Sequence, residues 1–168
     1  NGSLMMKKVP LNRREMLLFS SSVIIAAPLI AIASQTDLNL YVVKDPQCGC
    51  CTAWVDILKS EGFNITIESR SGDFLRDFKI KNGIPEVMMS CHTAQIGGYF
   101  IEGHVPAREI KRLLKEQPIA LGLAAPGMPL GSPGMGPGDQ REAYDIFVVG
   151  KDGKAKVFQH YLKAGISV

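Results

Sequence analysis

Three of the four cysteines lie within four positions, in the stretch "DPQCGCCTAW". Cys48 and Cys51 form a Cys-x-x-Cys pair, and Cys50 stands between them. At the N-terminus of a helix, free backbone N–H groups and the helix dipole favour a thiolate over a thiol. A thiolate serves as a disulfide-exchange nucleophile or as a metal ligand. The motif therefore predicts thiol redox or metal chemistry, and it does not separate the two.

The fourth cysteine belongs to a predicted hairpin, "CHTAQIGGYFIEGH". Gly97-Gly98 suits a two-residue turn because both glycines can take positive φ. Counting outward from this turn places Cys91 opposite His104, and directly opposed side chains lie about 5 Å apart. A strand that opened at Pro85 would instead carry Cys91 roughly 20 Å along its length. We prefer the first register, because it gives two matched strands and brings Cys91 and His104 beside the first helix.

Four cysteines at one helix N-terminus exceed what disulfide exchange requires, and densely packed thiolates suit Cu(I) or Zn(II). The predicted metal ligands are Cys48, Cys50, Cys51 and Cys91, with His104 as an additional donor. If the protein turns over, Cys48 and Cys51 are the predicted catalytic pair. Three alternatives stay open: a thiol-disulfide oxidoreductase, a structural zinc site of Cys and His, and one or two structural disulfides.

Other candidate residues are given structural roles. His92 alternates to the face opposite Cys91, so it is predicted to be structural, and His160 is predicted to lie on the surface of a terminal hairpin. Trp54 is predicted to be a core residue. Met128 and Met135 are predicted to pack, with thioether ligation of copper as the alternative.

The predicted elements follow the order β-α-β-α-β-β-α, with the Cys-x-x-Cys at the start of the first helix. This order predicts an α/β fold, a thioredoxin-like mixed sheet with flanking helices. In the first helix, Trp54, Val55 and Leu58 are expected to face inward, with Ile57 as a further candidate for the same face. Pro85 is expected to open a helical turn.

The segment 118–138 contains five prolines and six glycines. This composition argues against a regular helix or a central strand and predicts a long Pro/Gly-rich loop that covers or gates the cysteines. A C-terminal β-hairpin is predicted next, around Asp152-Gly153.

The N-terminal residues have the pattern of a secretory signal. Residues 1–5 are interpreted as vector-derived, and Lys7, Lys8 and Arg13-Arg14 precede an apolar run that ends in "AIA". The prediction is therefore a cleavable leader at 1–33 and a single metal-binding domain at 34–168, with an uncleaved anchor as the alternative. Arg13-Arg14 also resembles a twin-arginine signal, so either that route or general secretion would deliver the protein to the periplasm.

The charge of the chain is concentrated in this leader. Of 19 basic residues four precede residue 34, as does one of 16 acidic residues, so residues 34–168 carry 15 of each. A neutral domain offers no electrostatic case for binding nucleic acid.

Several longer motifs occur together in one order: "CGCCTAWVDILKSEGF", "IPEVMMSCHTAQIGGYFIEGHVPAREIKRLL" and "GLAAPGMPLGSPGM". In this combination, over residues 38–161, the chain resembles the CopG-type periplasmic copper-resistance proteins, a family long described as a domain of unknown function. The resemblance implies a thioredoxin-like fold and one or several Cu(I) ions held by Cys48, Cys50, Cys51 and Cys91. It also implies a part in copper tolerance through interconversion of Cu(I) and Cu(II). The expected partners are copper ions and other periplasmic copper-handling proteins, with no stable membrane association once the signal is cleaved.

Overall fold

The computed structural model describes residues 37–166, and the predicted leader at 1–33 lies outside them. Seven strands form one mixed sheet in the order β2-β1-β3-β4-β5-β6-β7. The strands are β1 (Asn39–Lys44), β2 (Asn64–Ser69), β3 (His92–Ile96), β4 (Tyr99–Glu102), β5 (Ala120–Ala124), β6 (Tyr144–Gly150) and β7 (Ala155–Tyr161). The helices are α1 (Gly49–Ser60), α2 (Asp73–Lys81) and α3 (Ala107–Glu116), with 3₁₀ turns at Glu86–Met88 and Gly138–Gln140.

The first part of the sheet has the predicted arrangement. Strands β1 and β2 are parallel and are joined through α1, while β3 is antiparallel to β1 and to β4. A hairpin thus joins a βαβ unit in one mixed sheet, which confirms the predicted α/β fold. Parallel neighbours need a crossover such as α1, and this crossover places the N-terminus of α1 at the end of β1.

The β3–β4 hairpin has the register that the turn predicts. Gly97 and Gly98 both have positive φ, 55° and 83°, and Ile96 pairs with Tyr99. Pro85 precedes the 3₁₀ turn Glu86–Met88 rather than opening a strand, as predicted. The β3–β4 pairing ends at Thr93 and Glu102, so Cys91 and His104 both lie just beyond the paired residues.

Helices α1 and α3 pack on one face of the sheet and form the main core. Trp54 is fully buried and donates its indole N–H to the Val105 carbonyl at 2.9 Å. Ile57 is 39% exposed, so the expectation that it faces inward is wrong; it lies just outside the apolar stripe of the helix. The core side chains of the two helices are Trp54, Val55, Leu58, Ala107, Ile110, Leu113 and Leu114.

One prediction for the segment 118–138 is wrong. Residues 120–124 form β5, a central strand that lies parallel to β4 and antiparallel to β6. The high proline and glycine content of the whole segment hid a five-residue apolar run without proline. Gly122 belongs in this strand for a steric reason, because a Cβ there would come within 2.0 Å of the Phe100 carbonyl oxygen. The Pro/Gly-rich loop, which joins β5 to β6, therefore begins only at residue 125.

The C-terminal hairpin of β6 and β7 is present as predicted. Gly150 donates its N–H to the Lys154 carbonyl and Gly153 donates to the Gly150 carbonyl, which closes the turn. The hairpin continues the sheet beyond β5. Within residues 37–166, none of the helices combines the length and the apolar character needed to cross a membrane.

Replacing Gly122 by alanine tests the close approach of β5 to β4. The added Cβ would collide with the Phe100 backbone, so we expect Gly122→Ala to lower the free energy of unfolding by about 1–3 kcal/mol, measured by urea denaturation. Gly138→Ala is the matched control, because a Cβ at Gly138 meets no atom within 4 Å. Equal midpoints for the two variants would contradict this explanation of Gly122.

Candidate metal centre

Three cysteines are positioned by the start of α1. Cys48 is the N-cap residue, and its sulfur accepts the N–H of Cys51 at 3.3 Å. The turn before the helix is held by Asp45, whose carbonyl accepts the N–H of Cys48. The predicted location of the Cys-x-x-Cys at a helix N-terminus is therefore observed, and the N–H of Cys51 in the first turn points at the Cys48 sulfur.

Cys48 and Cys51 are joined by a disulfide, with their Cα atoms 5.4 Å apart. Cys50 and Cys91 are free and partly buried. The sulfur of Cys50 lies 3.4 Å from that of Cys48. All four sulfurs lie within 4.8 Å of one another, so the structure brings together the complete set of predicted cysteine ligands.

His104 lies where the hairpin register predicts, against Cys91. Its Nε2 is 3.1 Å from the Cys91 sulfur and its Nδ1 is 2.8 Å from the Pro133 carbonyl oxygen. A carbonyl can only accept a hydrogen bond, so Nδ1 carries the proton and Nε2 directs its lone pair at the sulfur. Burial lowers the pKa of His104, which keeps the ring neutral and available as an acceptor or a ligand.

The Cys91 thiol keeps its proton in this environment. Burial, and then the neighbouring Cys50, raises the pKa of Cys91 to about 11. The thiol therefore donates to His104 Nε2 at neutral pH. A metal ion that binds at Cys91 must displace this proton, so its affinity rises with pH.

The prediction that His92 faces away from Cys91 is wrong, because the structure places its ring against the Cys91 sulfur. Its Nδ1 is 3.3 Å from the Cys91 sulfur, and its ring centroid lies 4.3 Å from that of Trp54. Strand β3 begins at His92, so Cys91 lies outside the ladder and the strict alternation of strand faces does not apply to it. One feature of the sequence indicates this contact: Cys91 and His92 are adjacent at the end of a predicted strand, where the alternation of faces breaks down.

His92 is completely buried, and its Nε2 has no hydrogen-bond partner. Burial, followed by repulsion from the protonated form of His104 and from Lys79 and Lys44, lowers the pKa of His92 well below its usual value. Cys91, His92 and His104 form a second group of donor atoms within 4.8 Å of one another. The sulfur of Cys91 belongs to both groups.

A buried carboxylate, which the sequence analysis did not predict, holds the Cys91 segment in place. The Glu102 carboxylate accepts three hydrogen bonds: from the Lys79 ammonium at 2.5 Å, from the Thr93 hydroxyl at 2.6 Å and from the backbone N–H of Ser90 at 2.5 Å. Ser90 immediately precedes Cys91, and its hydroxyl donates to the Gly127 carbonyl. Burial raises the pKa of Glu102, while Lys79 opposes this shift. The ion pair thus ties α2 to the hairpin and fixes the approach to Cys91.

The Pro/Gly-rich loop lies against α1 near the cysteines. A Cβ at Gly134 would come within 2.7 Å of the Cys50 carbonyl oxygen and of the backbone nitrogen of Trp54, so only glycine allows the loop to approach the helix this closely. The adjacent Pro133 accepts the hydrogen bond from His104. The loop therefore contacts both the helix that carries Cys50 and the histidine beside Cys91.

The remaining candidates lie elsewhere. Met128 is 57% exposed, so the prediction that it packs is wrong, whereas Met135 is partly buried. His160 is exposed and pairs with Asp145, as expected for a surface residue.

Comparisons with known proteins identify relatives of this chain. A family model described as "Protein of unknown function, DUF411" matches residues 88–135. A solved structure described as "Copper resistance protein copG- Form 1" is 40% identical, with a TM-score of 0.70, and the match covers 76% of this chain and 99% of that one. The chain belongs to the CopG family.

A second CopG structure, described as Form 2, is 42% identical with a TM-score of 0.68, over 74% of this chain and 98% of that chain. A search of curated proteins finds no match. The resemblance to CopG-type proteins that the motifs indicated is therefore confirmed, and the CopG match includes the fold.

Removing the cation of the buried pair tests the role of Glu102. Lys79→Met leaves the carboxylate buried without its partner, and we expect the free energy of unfolding to fall by about 3–5 kcal/mol. Lys81→Met is the control, because Lys81 is an exposed lysine of the same helix. The double variant Lys79→Met/Glu102→Gln should lose less than the sum of its single variants in urea denaturation. Additive losses would contradict direct coupling of the pair.

Proposed function

We propose that this CopG-family protein is exported and holds Cu(I) in a cysteine-thiolate site that contributes to copper tolerance. The observation that carries the proposal is the convergence of four cysteine sulfurs within 4.8 Å of one another. Thiolates are soft ligands and prefer Cu(I), and their negative charge is favoured at the N-terminus of α1. The relatives described as copper resistance proteins support copper as the metal.

The disulfide sets a condition on this site. The sulfurs of Cys48 and Cys51 are bonded to each other and cannot donate as thiolates. Two electrons and two protons convert the disulfide to two thiols, and each thiol that becomes a ligand then releases its proton. We therefore expect the four-cysteine site to bind one or several Cu(I) ions only after reduction.

His104 gives the site a donor of a different kind. Its neutral Nε2 lies 3.1 Å from the Cys91 sulfur. An imidazole binds Cu(II) better than a thiolate set alone does, so a mixed site lowers the free-energy difference between the two copper oxidation states. This supports the finer proposal that the protein interconverts Cu(I) and Cu(II). Zinc remains the alternative metal, because Cys₄ and Cys₃His sets are also typical zinc ligands.

Export places this chemistry in the periplasm. The leader pattern at 1–33 and the neutral charge of 34–168 support an exported protein that partners with copper ions and with other copper-handling proteins rather than with nucleic acid.

An anaerobic titration of the reduced protein with Cu(I) tests the copper proposal. Cys50→Ser and Cys91→Ser are each expected to bind less copper than the parent and to lower the luminescence of Cu(I)-thiolate coordination, because each removes one ligand. His160→Asn, which alters an exposed histidine, should bind as the parent does. If both cysteine variants bind as much copper as the parent, the shared site is refuted. Elemental analysis of anaerobically purified protein decides between copper and zinc.

A second candidate function is thiol-disulfide exchange by Cys48 and Cys51. The observation in its favour is their disulfide at a helix N-terminus, with Cys48 partly exposed. In exchange, the Cys48 thiolate would attack a substrate disulfide and Cys51 would resolve the mixed disulfide.

The double variant Cys50→Ser/Cys91→Ser isolates this activity. If Cys48 and Cys51 alone perform exchange, the variant should reduce insulin at the parental rate, followed by turbidity with dithiothreitol as the electron donor. Cys48→Ser should abolish the reaction. A rate at the uncatalysed background for the parent would exclude this function.

A further inference from the structure

We propose that Cys91, His92 and His104 form a separate metal site, which takes one borderline divalent ion such as Zn(II) or Cu(II) while the Cys48–Cys51 disulfide is intact. This goes beyond the Cu(I) proposal, with which it shares Cys91 and the additional donor His104, because it adds His92 as a ligand and needs no thiol from Cys48 or Cys51. Two donor groups of three or more residues occur in the described part of the chain. The four-cysteine group loses two ligands to the disulfide. The group of one thiol and two imidazoles is complete.

The distances suit one ion. Typical zinc–sulfur and zinc–nitrogen bonds of about 2.3 and 2.0 Å place tetrahedral S and N ligands about 3.5 Å apart. The Cys91 sulfur lies 3.1 Å from His104 Nε2 and 3.3 Å from His92 Nδ1. Adjustments of a few tenths of an ångström therefore open the space for a metal, without moving either strand.

The hydrogen bonds already orient His104 as a ligand. Metal-bound histidines usually donate their second ring N–H to a carbonyl or a carboxylate, which fixes the ring and its tautomer. His104 does this with the Pro133 carbonyl oxygen at 2.8 Å. Its lone pair at Nε2 is consequently directed at the proposed metal position in the absence of metal.

Core packing orients His92. The side chain is completely buried, and its Nδ1 lies 3.3 Å from the Cys91 sulfur. Packing of the ring against Trp54 and His104 holds Nδ1 in that direction. The arrangement is the one expected for a ligand that is preorganised by its core contacts.

Cobalt(II) binding by the oxidised full-length protein tests the site. Alkylation and mass spectrometry first verify that two thiols per chain are free. We expect one Co(II) per chain, a sulfur-to-cobalt charge-transfer band, and displacement by Zn(II). His92→Phe keeps an aromatic ring but removes both nitrogens, and it should weaken Co(II) binding at least tenfold. His160→Phe is the matched control and should bind as the parent does.

Cys50→Ser separates this proposal from the Cu(I) proposal. The variant should bind Co(II) as the parent does when oxidised, yet bind less Cu(I) when reduced. In the same variant, Zn(II) should slow the alkylation of Cys91. This measurement uses no histidine variant, so its outcome does not depend on whether such a variant folds. The proposal is overturned if the oxidised parent shows no charge-transfer band with Co(II), if His92→Phe binds with parental affinity, if Cys50→Ser loses Co(II) binding, or if Zn(II) leaves Cys91 fully reactive.

Discussion

The buried carboxylate of Glu102 is the contact on which the arrangement around Cys91 depends. Its side chain accepts three hydrogen bonds, from α2, from β3 and from the backbone just before Cys91. Its backbone carbonyl accepts the N–H of Ala125, where the Pro/Gly-rich loop begins. Because a buried charge is tolerated only when it is paired and hydrogen-bonded, these four segments are held together.

Gly103 shows how closely these segments approach. It has a φ of 71°, and a Cβ there would lie 2.6 Å from both the Ala125 carbonyl oxygen and the Ser90 hydroxyl oxygen. The chain between Glu102 and His104 must therefore pass through a space that only glycine fits. The position of His104 beside Cys91 is consequently set by this backbone path as well as by the contacts of its own ring.

The cysteine sulfurs cannot form a disulfide and ligate a metal at the same time, so thiol oxidation and metal binding are linked. An oxidant that forms the Cys48–Cys51 bond removes two ligands from the four-cysteine group, and a metal that binds the thiolates opposes that oxidation. Cys91 is not part of that disulfide. With His92 and His104, it keeps a donor set that does not depend on the redox state of the other pair.

Much of the fold could be predicted because its signals are local. The two helices with apolar stripes, the Gly97-Gly98 turn and the terminal hairpin all follow from short patterns, and the structure contains them. Strand β5 could not be predicted in this way. Its five residues carry no alternation and lie among prolines and glycines, and they become a strand because β4 and β6 supply hydrogen bonds on both sides.

The sequence by itself determined that three cysteines lie at a helix N-terminus and that the hairpin turn brings Cys91 and His104 toward them, because both follow from local periodicity. Only the tertiary structure decided that His92 also faces Cys91, that Glu102 holds the segment before Cys91, and that the loop reaches His104 through Pro133. These contacts join residues on different elements or at the irregular end of a strand. Their geometry depends on packing and on buried hydrogen bonds, which no short sequence pattern encodes.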